Sequence, residues 1–229
     1  MHIAILMANT DESDFAQRHP KDGEKFRRLL EPLRPDWRFS VLSVKDGEFP
    51  ANLGDYDGFI ITGSPASVHD PEPWVDRLME VIRQIRAEDR PVFGACFGHQ
   101  AIAKALGGKV ERNPGGWVFG LARTEMEGAP IRLYAAHVEQ VTAPPAGAEV
   151  LGGNAECPVG AYRIGRRVLT TQYHPEITPE FAAALVEEYA GKLPPDVAEK
   201  AEGSLAEWAE TDRIARRIVR VRAEKPILR

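Results

Sequence analysis

GACFGHQ, residues 94–100, is the stretch that decides the fold, because it places a cysteine between two glycines where a strand meets a helix. The apolar run at 91–95 predicts a buried strand, and residues 101–106 predict a helix that Gly107 and Gly108 end. A nucleophile on such a turn has a strained backbone, and the glycines avoid collisions with the neighbouring strand and helix. The turn also brings the thiol of Cys96 to a helix N-terminus, which stabilises a thiolate. A cysteine between glycines can also be an inert small hydrophobe, so it is the strand-to-helix context that favours a nucleophile.

The pattern on both sides of this turn alternates short apolar runs with amphipathic stretches. Strands are predicted at 2–7, 39–44, 58–62 and 91–95, and helices at 26–33, 74–85, 101–106 and 181–190. Such alternation predicts an α/β fold with an open, mostly parallel sheet and helices on both faces. Residues 109–173 predict strands joined by Gly/Pro turns, which would extend the sheet in antiparallel fashion. Ligands of such sheets bind at the carboxyl ends of the strands, where Cys96 is expected.

The chain of 229 residues fits one large domain with a short appendage. We assign residues 1–190 to the main domain and 191–229 to a C-terminal helical extension, since Pro194-Pro195 marks a break. The run Ser204-Leu-Ala-Glu207 matches a capping box that would open the last helix. Residues 212–229 hold seven Lys/Arg against two Asp/Glu and carry apolar residues at helical spacing. This helix is expected to dock on the domain, and the alternative is a surface for a partner or for a homo-oligomer.

Composition limits the classes of partner. The net charge of -5 gives no global attraction to nucleic acid or to an anionic membrane surface, and no stretch approaches the length of a membrane span. The sequence contains neither a Gly-rich phosphate loop nor a metal-ligand cluster, so we expect no cofactor and no metal. Two cysteines are too few for a disulfide framework, which indicates a reducing, cytoplasmic location. Cys157 is interpreted as a structural thiol, and small polar molecules are the expected substrates.

A second strand end supplies the base that a thiol nucleophile needs. In QYHPE (172–176), His174 follows the apolar run 168–173, and Pro175 ends that strand. Histidine can collect the thiol proton and pass it to a leaving amine, and Glu176 can orient the imidazole. The alternative for this motif is a strand-ending turn with a solvated carboxylate. His99 is expected to shape the helix N-terminus rather than to act as the base, and His2, His19 and His69 are expected at the surface.

Three separated motifs together resemble the class I glutamine amidotransferase family, and most closely its stand-alone members that are similar to the amidotransferase domain of GMP synthase. They are IITGSP (60–65), GACFGHQ (94–100) and QYHPE (172–176), and GGWVFG (115–120) and AAH (135–137) resemble the family less sharply. The resemblance covers about residues 1–190 and implies a flavodoxin-like fold. Thr62 and Ala95 depart from the residues usual in the GMP synthase domain, but neither change removes a catalytic group.

The resemblance implies that Cys96 attacks the side-chain amide of glutamine, releasing ammonia and forming a γ-glutamyl thioester that water hydrolyses. The backbone N–H groups of Gly63 and Phe97 would then form the oxyanion hole. The residues that would line the glutamine pocket are Gln100, Gly116 and Trp117. Each of these has a structural alternative: Gly63 could serve only its turn, Gln100 could be a polar helix residue, and Gly116-Trp117 could only pack a loop.

Three functions stay open. Glutamine hydrolysis would feed ammonia to a separate synthetase subunit, because no acceptor region follows the amidotransferase-like region. The same thioester chemistry could instead cleave a γ-glutamyl peptide or amide, with pocket size set by the loop 8–22 and the segment 109–120. A non-catalytic binding or regulatory subunit is the third function, against which the intact Cys96, His174 and Glu176 argue.

Overall fold

A seven-stranded sheet forms the centre of the computed structural model, which describes residues 1–221. The strands, numbered in chain order, lie across it as β2 (Arg38–Ser43), β1 (His2–Met7), β3 (Gly58–Ile61), β4 (Val92–Ala95), β11 (Val168–Thr171), β10 (Ala161–Ile164) and β9 (Ala148–Gly152). The first five run parallel, and β10 and β9 continue the sheet antiparallel. The expected α/β class and the mostly parallel sheet are confirmed.

Helices cover both faces of this sheet, because side chains alternate along its buried strands. The helices are α1 (Asp14–Gln17), α2 (Asp22–Leu30), α3 (Pro73–Ala87), α4 (Phe97–Ala105), α5 (Pro179–Tyr189), α6 (Pro195–Ser204) and α7 (Thr211–Arg220). In β1, Ala4 and Leu6 pack in one core with apolar residues of α3 and α4. Ile3 and Ile5 belong to a second core, to which α2 and α7 contribute. Burial of both faces explains why β1 is apolar at residues 3–7.

The strands around residues 109–143 form outside the central sheet. β6 (Val118–Met126) and β7 (Ala129–His137) make a separate antiparallel hairpin, and β5 (Lys109–Arg112) pairs with β8 (Glu139–Ala143). The expectation that the whole segment 109–173 extends the sheet is therefore wrong for these four strands. The hairpin instead packs Ile131 and Leu133 into the second core, because one of its faces is apolar and needs cover.

The capping-box prediction at Ser204 is also wrong. Ser204 is the last residue of α6, and its hydroxyl donates to the Ala201 carbonyl and accepts from the Leu121 N–H. That oxygen therefore joins α6 to β6 rather than capping a following helix, and α7 begins at Thr211. α7 buries Ile214 and Ile218 in the second core, as the apolar spacing indicated. The division at residue 190 stays a prediction, and residues 222–229 of the predicted extension lie outside the described residues.

The fold brings three chain segments to one edge of the sheet. β4 lies between β3 and β11, and the carboxyl ends of these parallel strands lead to Gly63, Cys96 and His174. Gly98, in the first turn of α4, packs so closely on β3 that a Cβ built on it would lie 2.4 Å from the Ile61 carbonyl oxygen. The turn at Cys96 therefore depends on a glycine at 98.

We predict that Gly98→Ala destabilises the protein, because the added methyl meets backbone atoms that cannot rotate away. Overpacking of this kind costs about 1–3 kcal/mol or more in the free energy of unfolding, measured by urea denaturation. Gly203→Ala is the matched control, since a Cβ there meets no atom within 4 Å and Gly203 lies in α6. The control should be neutral or stabilising by about 0.5 kcal/mol; equal stability of the two variants would contradict the packing argument.

Candidate active site

Cys96 has a backbone conformation that non-glycine residues rarely adopt. It follows β4 and caps α4 with φ 49° and ψ −108°, and such strain persists only where neighbouring structure holds it. The Cys96 N–H donates to the Thr171 carbonyl at 2.9 Å, and the Gly98 N–H donates to the Thr62 carbonyl at 3.1 Å. The last residue of β11 and the residue after β3 thus fix both sides of the turn. This is the strained strand-to-helix turn that the sequence predicts.

His174 and Glu176 form a buried pair beside Cys96. The imidazole Nδ1 lies 2.7 Å from Glu176 Oε1, and the His174 N–H donates to the Tyr134 carbonyl at 2.8 Å. A carboxylate oxygen can only accept from Nδ1–H, so Glu176 fixes the orientation of the ring and assigns its proton. Nε2 is left without a hydrogen-bond partner within residues 1–221, although the ring interacts with the side chain of Cys96. Nε2 is therefore the nitrogen available for proton transfer.

The charge of His174 is set by opposing effects. Burial alone would lower its pKa, but the negative charges of Glu176 and of the Cys96 thiolate raise the pKa well above the ordinary 6.5. A pKa raised by folding adds stability that is fully present below about pH 6.5 and is lost as the pH rises through the folded-state pKa. The negative charge that faces the imidazole therefore favours its protonated form.

Two other buried histidines have lowered rather than raised pKa values. Burial lowers the pKa of His99 to about 3 and that of His137 to about 4. His99 Nδ1 lies 2.8 Å from the Thr170 hydroxyl, whereas His137 Nδ1 donates to the Glu139 carbonyl at 3.1 Å. Both rings are neutral at physiological pH and cannot supply the cation that a thiolate needs. Sequence reasoning did not assign His137 any electrostatic contact with His174, because β7 supplies it from a distant part of the chain.

Gly63 leaves the space between the nucleophile and the base. A Cβ built on it would lie 2.8 Å from His174 Cε1 and 3.5 Å from Cys96 Cβ. The N–H groups of Gly63 and Phe97 have no protein acceptor among the described residues. Their assignment as oxyanion donors stays a prediction, and two free donors beside the cysteine are what it requires.

Of the three predicted substrate-binding residues, one lines the cleft and two do not. Trp117 lines the cleft that contains Cys96, whereas Gln100 and Gly116 lie outside its lining. The Gln100 amide is used internally, because Nε2 donates to the Glu139 carbonyl at 2.7 Å and to Gln172 Oε1 at 3.2 Å. Gly116 has φ 82° in a turn and no atom within 4 Å of a built Cβ. Their roles as ligands stay predictions, and only Trp117 is placed for direct contact.

The cleft extends well beyond the triad and has a volume of about 170 Å³, room for several water molecules or one small ligand. Cys96, His174 and Glu176 lie in its wall with Gly63 and Trp117. The loop 8–22, expected to set the pocket size, supplies much of the remaining wall through its segment 9–22, together with Lys25. Part of α5 closes the cleft through Phe181, Leu185 and Tyr189. Sequence reasoning missed these α5 residues, since their helical spacing is equally typical of core packing.

Cys157 is fully buried, and burial raises the pKa of its thiol to about 12. Such a thiol stays protonated and unreactive at neutral pH. No group of three His, Cys, Asp or Glu side chains within residues 1–221 is arranged to hold a metal ion. In the same part of the chain, no helix is long and apolar enough to cross a membrane.

Comparisons with known proteins agree with this architecture. Residues 37–188 match the family described as glutamine amidotransferase class-I. The chain is 29% identical over 164 residues to γ-glutamyl peptidase 2 of Arabidopsis thaliana, which covers 66% of each protein. It is 35% identical over 129 residues to GMP synthase [glutamine-hydrolyzing] of Aeropyrum pernix, covering 52% of this chain and 24% of that one. The crystal structure of a glutamine amido transferase from Methylobacillus flagellatus has a TM-score of 0.73 at 22% identity, covering 96% and 92%.

We predict that NMR titration separates His174 from the two neutral histidines. His174 should stay protonated well above pH 6.5, because two anions surround it, while His99 and His137 should stay neutral down to about pH 5. Glu176→Gln removes one of those anions and should lower the pKa of His174. Glu180→Gln, which changes an exposed carboxylate four residues further on, is the control and should leave that titration unchanged. If both variants titrate like the wild type, the proposed ion pairing is incorrect.

Proposed function

The chain belongs to the class I glutamine amidotransferase family, and on that premise we propose that it hydrolyses γ-glutamyl amide bonds through a Cys96 thioester. The observation that carries the proposal is the convergence of three groups in one cleft. They are the strained Cys96, the His174–Glu176 pair at 2.7 Å, and Gly63, whose N–H would act with that of Phe97, the residue after Cys96. A nucleophile, an oriented base and two free donors are what acyl transfer requires.

The proposed reaction has two stages. The Cys96 thiolate attacks the γ-carbonyl carbon, and the negative charge that develops on the carbonyl oxygen is stabilised by the N–H groups of Gly63 and Phe97. The imidazolium of His174 gives its proton to the departing nitrogen, so the C–N bond breaks and the γ-glutamyl thioester remains. His174, now neutral, takes a proton from water, which attacks the thioester and releases glutamate and the thiolate. Glu176 keeps the imidazole oriented and stabilises its charge throughout.

A γ-glutamyl peptide is the substrate that the cleft favours. Free glutamine has only an –NH₂ group beyond the γ-carbonyl, whereas a peptide has an amino acid there that needs room. The cleft continues from Cys96 to the segment 9–22 and α5, where Phe15, Phe181 and Leu185 offer apolar contacts. The match to γ-glutamyl peptidase 2 extends over more of this chain than the match to GMP synthase. Glutamine hydrolysis with a separate ammonia-accepting subunit is the second candidate, favoured by that GMP synthase match.

The direct test is glutamate release by the purified protein from L-glutamine and from a panel of γ-glutamyl dipeptides. We predict turnover of dipeptides, and a loss of at least about 10⁴-fold in kcat for Cys96→Ala, since no other group can form the thioester. Cys157→Ala is the matched control and should keep activity, because that thiol is buried and protonated. Turnover of glutamine alone would select the second candidate. Activity that survives in Cys96→Ala would refute the mechanism.

A second prediction concerns the gap between Cys96 and His174. Gly63→Ala puts a methyl group 2.8 Å from His174 Cε1 and should displace the imidazole. Displacement by a fraction of an ångström to one ångström costs up to about 10²-fold in kcat, measured on the best dipeptide. Gly191→Ala, where a Cβ meets no atom within 4 Å, should retain full activity. Unchanged kcat in Gly63→Ala would show that the spacing between base and nucleophile tolerates the methyl group.

A further inference from the structure

Lys25 is a nearly buried cation in the wall of the cleft. Its side chain is only 10% exposed, and its ammonium group lies 2.9 Å from Asp22 Oδ1 and 3.5 Å from the centre of the Phe181 ring. The second oxygen of Asp22 accepts a hydrogen bond from the Asn9 amide at 2.8 Å. Lysine is rarely buried to this extent unless it is paired. The contacts fix the ammonium group in a defined position on the same cleft as Cys96.

The three lysines that line the cleft differ in how far their charge is neutralised. Lys21 is exposed to solvent, and Lys45 lies between two carboxylates, at 2.7 Å from Glu12 and 2.9 Å from Asp46. Lys25 has a single carboxylate partner, and an ammonium group has three N–H donors. The face of Phe181 shields this charge from water, which strengthens its attraction for a further anion. Among these lysines, Lys25 is the one that combines a fixed position with spare donor capacity.

The chain that follows His174 leads to the wall of the cleft that contains Lys25. In the proposed reaction the departing nitrogen must lie next to His174, because that imidazole protonates it. From His174 the chain continues through Ile177 into α5, and Phe181 is in the first turn of that helix. Phe15 of α1 packs on the Phe181 ring with 5.9 Å between ring centres. Phe15 and Lys25 thus both contact Phe181 in one wall of the cleft, and α5 joins this wall to the segment of His174.

We propose that Lys25 is a specificity-determining residue that binds the carboxylate of the amino acid released from a γ-glutamyl dipeptide. The inference rests on the proposed function and deepens it. Glutamine and simple γ-glutamyl amides lack this carboxylate, whereas every γ-glutamyl dipeptide has it. Lys25 thus selects dipeptides with a free C-terminal carboxylate, and the aromatic wall beside it accommodates the side chain of the released amino acid.

The test compares kcat/KM for three compounds: γ-glutamylglycine, γ-glutamylglycinamide and L-glutamine. Only the first has a carboxylate on the leaving group, and all three share the γ-glutamyl part. Lys25→Met keeps a long apolar side chain beside Phe181 but removes the charge. It should lower kcat/KM for γ-glutamylglycine by about 10-fold to 100-fold, the range expected for a lost charged hydrogen bond. The values for the other two compounds should change little.

Lys192→Met is the matched control. Lys192 lies over the ring of Tyr189 at 5.0 Å and pairs with Glu188 at 2.5 Å, but its side chain is 58% exposed and does not line the cleft. This variant should leave all three kcat/KM values unchanged. Lys25→Arg keeps the charge and should retain the preference for γ-glutamylglycine over its amide.

Removal of the Lys25 charge alone leaves Asp22 without its cation, which could destabilise α2. The double variant Asp22→Asn, Lys25→Met removes both charges, and it should show the same selective loss if Lys25 binds the leaving group. An equal loss for all three compounds in both variants would mean that Lys25 acts on the shared γ-glutamyl part or supports the structure, and it would overturn the inference. Failure of the wild type to turn over any of the three would instead refute the proposed function, and this inference with it.

Discussion

The active-site architecture depends on the left-handed backbone turn at Cys96. A φ of 49° is unfavourable for a residue with a side chain, and hydrogen bonds to Thr62 and Thr171, at the ends of the neighbouring strands, hold the turn. Because β4 lies between β3 and β11, the same two segments that fix the turn also bring Gly63 and His174 to it. The position of the nucleophile therefore depends on the parallel order of the strands and on the close packing of Gly98 on β3. A change in either would disturb the turn.

The three buried histidines near this turn differ in their pKa values. Negative charge facing His174 raises its pKa, whereas burial without such a partner lowers the pKa of His99 and His137. The three buried imidazoles therefore differ in protonation because only one of them faces negative charge. The two neutral rings hydrogen-bond to a threonine and to a backbone carbonyl, so they contribute structure while a single imidazole carries charge.

The cleft divides between a shared part and a variable part. The carboxyl ends of the strands supply the groups that act on an amide carbonyl, and these come from the most deeply buried part of the sheet. The segment 9–22 and α5 supply the rest of the wall, and they lie outside the sheet. Such peripheral segments can change without disturbing the strained turn, so the same chemistry can serve different leaving groups.

Local sequence determined the α/β class, the parallel strands and the turn at Cys96. The spacing of apolar residues and the positions of glycines specify such features within a few residues of the chain. Local sequence also predicted His174 and Glu176 from a single motif, since Pro175 keeps them on one turn. Only the tertiary structure decided that β6 and β7 form a separate hairpin, that the Ser204 hydroxyl bonds to Leu121, and that the Gln100 amide faces Glu139. It alone placed Lys25 and Phe181 beside each other in the cleft. The contacts of Gln100, Ser204 and Lys25 join residues 39 to 156 positions apart in the sequence, and no local pattern specifies which distant surface a polar or amphipathic segment will meet.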